Sequence, residues 1–260
     1  MRFNVVTIFP QLITDALKEG IVSQAFKGGQ LAVKTVNPRD FATDNHKTVD
    51  DRPFGGGDGM VLMIEPLMKA IESLGDERGR VVYLTPQGRK WTDSLAREWA
   101  ADDRNLTLVC GRYAGVDQRV INRYVDEEVS IGDYVLSGGE IPALVLIDSI
   151  SRLRPGVLGN AESPQKDSFV EGLLEGPVFT RPREHELGAV PSFLMSGNHQ
   201  EIAAVRKALS TVLTGLRRPD LFASSPEMKQ MIKKLRQIPA SDLKQLGVDE
   251  AELSVLEAKA

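Results

Sequence analysis

Asn105–Asp117 reads NLTLVCGRYAGVD: a short β-prone run stops at Gly111, turns through a second glycine at Gly115, and ends on an acid placed to start a helix. A brief apolar strand that yields to glycine and then to a helical pattern is what a strand covered on both faces looks like. The same unit recurs on either side of it. Candidate strands are Phe3–Phe9, Leu31–Val36, Arg80–Leu84 (RVVYL), Asn105–Cys110 and Glu128–Ile131, and helix-like stretches occupy Gln11–Lys18, Glu65–Leu74, Thr92–Ala101, Asp117–Tyr124 and Glu140–Leu153. This alternation predicts an α/β layer built on a mostly parallel sheet.

The pattern changes after Pro155. Through Ser192 the chain is rich in Gly, Pro, Ser and Glu with no sustained period, too polar for a core, and reads as a linker passing into an irregular segment. From Gln200 the spacing turns helical, with Ile202, Val205, Leu209, Val212 and Leu213 on one stripe and Met228, Met231, Ile232 and Leu235 on the next. The last helix, SDLKQLGVDEAELSVLEAKA, has Ser241 as a plausible cap. The expected domains are therefore residues 1–158 (α/β), a flexible linker at 159–170, and a small all-helical domain at 171–260.

A chain of 260 residues suits one large domain or two modest ones, at roughly 100–200 residues each. Its formal net charge of −4 removes any whole-chain argument for a polyanionic partner. The average hides a local contrast. Residues 199–238 carry eight Lys and Arg against three acids, densest at Arg217–Arg218 and Lys233–Lys234, so any phosphate contact is expected there. Cys110, the single cysteine, excludes an internal disulfide framework and a Cys-rich zinc site, and reads as a small buried hydrophobe. MRFNVVTIFPQ reads as a first strand and not as a signal peptide. Nothing approaches the roughly 18 uninterrupted apolar residues of a membrane span, so a cytoplasmic protein with no membrane partner is expected.

Four glycine-rich segments need a purpose. DRPFGGGDGM (Asp51–Met60) lacks the Lys-Ser/Thr of a phosphate-cradling loop, and a dinucleotide fingerprint begun at Gly55 fails at Met60. TPQGR (Thr85–Arg89), CGRYAGVD (Cys110–Asp117) and SIGDYVLSGGE (Ser130–Glu140) each follow a candidate strand, at the carboxyl ends where open α/β sheets bind ligands. Three converging loops of so little bulk suit a flat nucleotide-like ligand held by backbone groups.

Further on, Arg152 and Arg154 end the long helix, and Asp167 follows in the linker. A carboxylate there can act as a base and an Arg can hold an oxyanion, although spacing alone does not pair them and a capping role for Asp167 fits equally. His46, His185 and His199 are scattered, without metal-ligand spacing. No nucleophile elbow and no HExxH helix appears.

Taken in order, DRPFGGGDGM, LTPQGR, CGRYAGVDQR, SIGDYVLSGGE, SRLRPGVLG, DSFVEGLLEGP and LMSGNH resemble the bacterial tRNA (guanine-N1)-methyltransferase family, of the SPOUT class, over essentially the whole chain. The resemblance implies methyl transfer from S-adenosyl-L-methionine to N1 of guanine 37 of tRNA. It also implies a deep trefoil knot in the cofactor-binding half, a helical tRNA-binding domain, and a homodimer with its active site at the subunit interface. Carried across by position, the cofactor pocket involves Leu84, Pro86, Gln87, Gly111, Ile131, Gly132, Asp133, Tyr134, Val135, Leu136, Gly138 and Gly139, and the catalytic pair is Asp167 with Arg152. The family also suggests a dependence on Mg2+, for which no ligand set is identified in the sequence. Two positions depart from the pattern. Ala114 stands where many relatives carry Glu, and Asp58 where the glycine loop often has Pro or Ala. The missing acid is dispensable, or replaced by a group such as Asp117 or Asp58, or its loss impairs the chain.

Guanine N1 carries a proton, so attack on a sulfonium methyl requires that proton to leave while charge collects on N1 and O6. Asp167 is the candidate base and Arg152 the candidate stabiliser of O6. Two other functions fit parts of the sequence: a SPOUT-type ribose 2′-O-methyltransferase acting on RNA, and a non-catalytic tRNA-binding protein with a vestigial pocket.

Overall fold

The N-terminal apolar run becomes β1 (Arg2–Val6), followed by α1 (Pro10–Ala16), α2 (Gly20–Lys27), β2 (Ala32–Val36), β3 (Asp50–Asp51), β4 (Val61–Leu62) and α3 (Ile64–Glu72). Next come β5 (Arg80–Lys90), α4 (Asp93–Ala101), β6 (Leu106–Cys110), α5 (Gln118–Tyr124), β7 (Glu127–Ser130) and α6 (Glu140–Ser151). This computed structural model describes residues 1–160, 163–165, 167–222 and 227–259. Ala161, Glu162 and Lys166 of the expected linker lie outside the described residues. The chain divides into two units, Met1–Ala161 and Glu162–Ala260.

In the first unit five strands form one sheet in the order β2-β1-β6-β5-β7, and every neighbouring pair is parallel. Side chains alternate between its two faces, as a pleat demands. Phe3, Val5, Val82, Leu84, Leu106 and Leu108 meet Ile13 of α1, Trp99 of α4 and Leu146, Ile147 and Ile150 of α6. Val6, Val81, Tyr83 and Val109 face the other way, toward Leu67 and Ile71 of α3 and Val120 and Ile121 of α5. The sheet is thus covered on both sides, which explains why its strands read as apolar runs.

Caps fix several boundaries. Thr92 accepts from the Leu95 amide to open α4, and Asp117 accepts from the Arg119 amide to open α5.

Several expectations from the sequence need correction, and one helix went unread. TPQGR is not a loop beyond a strand: β5 runs on to Lys90, with both Leu84 and Arg89 set against Val129 of β7, so that Thr85–Gly88 bulges out between them. Helix α2, which begins at Gly20 and has no side-chain cap, escaped a reading based on caps and longer periods. Val157 is buried in the first core despite its polar surroundings. In the second unit the final helix is two, α9 (Ala240–Gln245) and α10 (Glu250–Lys259), broken where Gly247 takes φ +72°. Its second half opens on a reciprocal box in which the Glu252 amide donates to the Asp249 side chain and the Asp249 amide to the Glu252 side chain, whereas Ser241 lies inside α9, after the N-cap position held by Pro239.

The second unit also contains a two-stranded antiparallel ribbon, β8 (Glu184–His185) and β9 (Gly188–Ala189), a departure from an all-helical domain. Its core packs the expected stripe of α7 (His199–Arg217), through Val205, Leu209 and Val212, against Met228, Ile232 and Leu235 of α8 (Met228–Leu235) and Leu253 of α10. No helix is long and apolar enough to cross a membrane, among the described residues.

At the carboxyl ends of β5, β6 and β7, chain segments touch backbone to backbone. A Cβ on Gly139 would sit 2.6 Å from Cys110 Cα, and one on Gly88 would sit 2.2 Å from the Val129 nitrogen. Gly139 has φ −80°, so any side chain there is opposed by space alone. Replacing Gly139 with Ala is expected to cost about 1–3 kcal/mol in urea unfolding, as overpacking does. Gly159→Ala, which meets nothing within 4 Å, should stay within about 0.5 kcal/mol of the parent.

Cys110 is 2% exposed, and burial, followed by the nearby Glu140 charge, pushes its thiol well above the ordinary value of 9.0. The folded state therefore keeps the proton after the unfolded chain has lost it. This contribution to stability is complete below about pH 9 and fades as pH rises. Cys110→Ala should accordingly lose less stability than the parent between about pH 8 and about pH 10, measured by denaturant unfolding.

Candidate active site

The bulge Thr85–Gly88, the turn after β6 and the segment from β7 to α6 close around a cavity of about 440 Å³. Its wall contains every cofactor-site candidate named from the sequence except Asp133, which is exposed and stands outside it. Little side-chain bulk intrudes. A Cβ on Gly111 would meet the Tyr83 hydroxyl at 2.9 Å, and one on Gly132 would lie 2.5 Å from the Tyr134 ring, which folds over it while its hydroxyl donates to the Ile131 carbonyl.

Sequence reasoning passed over Tyr83, Arg112, Tyr113 and Glu128, which also line the cavity. Arg112 and Tyr113 lie inside the GRYAG motif and could have been found there. Tyr83 is nearly buried, and desolvation, then the charge of Glu128, raises its hydroxyl pKa.

Arg112 joins three chain segments. Its Nη2 lies 2.8 Å from Glu140 Oε2, its Nη1 donates to the Ser137 carbonyl at 3.1 Å, and its guanidinium sits 4.5 Å from the centre of the Phe9 ring. Glu140 is 1% exposed and receives a 2.6 Å hydrogen bond from Thr7 Oγ1. The pair is more an electrostatic contact than a directional one, because Arg112 Nε and Glu140 Oε2 find no aligned hydrogen-bond partner among the described residues. Placing the carboxylate in the first turn of α6 also sets it at the positive end of the helix dipole. Removing one member of so buried a pair typically costs about 3–5 kcal/mol, mostly the penalty of stranding the other charge.

The fourth glycine segment hangs from the ribbon of β3 and β4. Its base is tied to the cavity wall, since the Ala114 amide donates to the Met60 carbonyl and the Leu62 amide to the Gly115 carbonyl. Phe54 at its tip is fully exposed. Neither acid considered as a stand-in at Ala114 belongs to the cavity wall. Asp117 is already engaged, capping α5 and holding Arg119 at 2.8 Å, which keeps its carboxyl below the usual range.

Arg152 forms the C-cap of α6 in the first unit. Asp167 belongs to the second unit, where it lines a cavity of about 620 Å³ with Glu171, His199, Arg206 and Lys207. The basic surface of that unit is less free than its count implies: Arg236 is held by Glu250 and Glu257, Arg218 by Asp220, and Lys207 by Glu171. Lys233, by contrast, is exposed. Among the described residues no three His, Cys, Asp or Glu side chains gather as a metal cage.

The chain matches the family model described as tRNA (guanine-1)-methyltransferase TrmD over residues 1–224. It is 52% identical over 225 residues to the tRNA (guanine-N(1)-)-methyltransferase of Shewanella sediminis, covering 85% of this chain and 93% of the relative. The enzymes of that name from Actinobacillus succinogenes and Geotalea uraniireducens are 48% and 46% identical, over 91% and 93% of this chain and 98% and 100% of their own lengths. A glycine-bearing cavity in a parallel α/β unit accompanies that likeness, and the chain belongs to the tRNA (guanine-1)-methyltransferase family.

Proposed function

We propose that the protein transfers a methyl group from S-adenosyl-L-methionine to N1 of guanine 37 of tRNA, in the cytoplasm. The observation that carries this reading is the convergence of three glycine-bearing segments on one cavity, in a chain that belongs to a family named for the reaction. A cavity of about 440 Å³ with glycine walls at Gly111, Gly138 and Gly139 fits a nucleoside whose edges are read by backbone groups. The bound cofactor supplies an electrophilic methyl on a sulfonium.

The remaining work falls to the chain. Asp167 removes the N1 proton and Arg152 stabilises the charge that gathers on O6. A carboxylate is a weak base for this proton, so much of the barrier must be lowered by the guanidinium and not by proton affinity. Among the described residues no His, Cys, Asp or Glu cluster identifies ligands for the Mg2+ that the family suggests.

Asp167 and Arg152 belong to different units, and we assign their meeting to a homodimer with a shared active site. Supporting this, α6 buries Leu146, Ile147 and Ile150 yet leaves Ile141 58% and Val145 39% exposed, beside Leu12 of the neighbouring α1 at 50%. A helix apolar on both faces needs a second cover. The trefoil knot belongs to the same reading, and the close approach of Gly139 to Cys110 is compatible with a tightly crossed chain. Residues of the second unit such as Arg206 and Lys233 supply phosphate contacts.

Labelled S-adenosyl-L-methionine and a tRNA transcript test the proposal. Wild-type protein should place label on guanine N1, mapped by nuclease digestion and mass spectrometry, whereas Asp167→Ala should lose single-turnover transfer and keep cofactor affinity within about twofold. Label on a ribose 2′-oxygen, or tRNA binding without turnover, would overturn it.

A further inference from the structure

We infer that Arg112 is a positioning residue that shapes the cofactor pocket by fixing the path of Ser137–Gly139; the inference rests on the function proposed above. The turn after β6 and the segment entering α6 form facing parts of the cavity wall, and Arg112 is the side chain that spans them. One arm of its guanidinium faces Glu140 at 2.8 Å and the other donates to the Ser137 carbonyl at 3.1 Å. Its backbone bridges Gly138, where a Cβ would fall 2.2 Å from Arg112 Nε, so the missing side chain at Gly138 is the space through which the arginine stem passes.

The anchor is rigid. Glu140 is held from behind by Thr7 at the end of β1, and the Phe9 ring covers the guanidinium. The planar guanidinium donates one hydrogen bond to the Ser137 carbonyl while its charge faces Glu140, and an ammonium is a single point charge that cannot hold both positions in one plane. A lysine therefore keeps the charge of Arg112 and loses its geometry.

Stability and positioning must be separated, because Arg112→Ala alone strands a buried carboxylate. Arg112→Lys retains the ion pair. The double variant Arg112→Met/Glu140→Gln removes both charges while keeping a side-chain oxygen at 140 to accept from the Thr7 hydroxyl. We expect S-adenosyl-L-methionine Kd, by calorimetry, to rise at least about tenfold in both, the worth of one charge-assisted hydrogen bond. Affinity for tRNA in filter binding should stay within about twofold, and the thermal midpoint of the ligand-free double variant should stay near that of the wild type.

Wild-type cofactor affinity in both variants would overturn the inference alone. So would parallel loss of cofactor affinity, tRNA affinity and thermal midpoint, which marks a merely structural pair. Wild-type protein that fails to bind the cofactor overturns the functional reading and the inference with it.

Discussion

Backbone contact at the carboxyl end of the sheet is the constraint on which the rest depends. Where Gly139 lies against Cys110 and Gly88 against Val129, the chain leaves no room for even one methyl group, and the cavity beside these contacts has glycine in part of its wall. Such walls offer amides and carbonyls in place of side-chain ends, and that suits a flat heterocycle better than it suits a charged or branched ligand. The turn after β6 and the start of α6 are joined by Arg112 and Glu140 reaching across.

Much of the first unit was legible because two-sided burial writes itself into composition. The five apolar runs became the five strands of the sheet, and the caps at Thr92 and Asp117 opened the helices expected of them. What escaped depends on partners remote in sequence. TPQG looked like a loop because Pro86 and Gly88 interrupt the β pattern, yet Arg89 and Lys90 return to pair with Val129 and Ser130. Val157 looked like linker because its neighbours are polar, although tertiary packing recruited it to the core. The break at Gly247 was missed because an apolar stripe continues across it.

The candidate site was legible in its loops and not in its electrostatics. Glycine clustering marked the cavity walls, whereas Glu140 looked like an ordinary acid in a first helical turn until the fold placed Thr7 and Arg112 beside it. The basic stretch of the second unit errs in the opposite direction. Counting charges finds a patch, but Arg236, Arg218 and Lys207 spend theirs on nearby acids, so the effective field is carried by fewer groups than the count suggests.

Thr7 and Glu140 are 133 positions apart, and their hydrogen bond closes the chain on itself. The pocket beside it cannot exist in a growing polypeptide until the first turn of α6 has been made and has returned to the end of β1. Contacts of such long range form late and slowly. Any ligand that this cavity takes then binds finished molecules only and, by mass action, draws the population toward chains that have completed their closure.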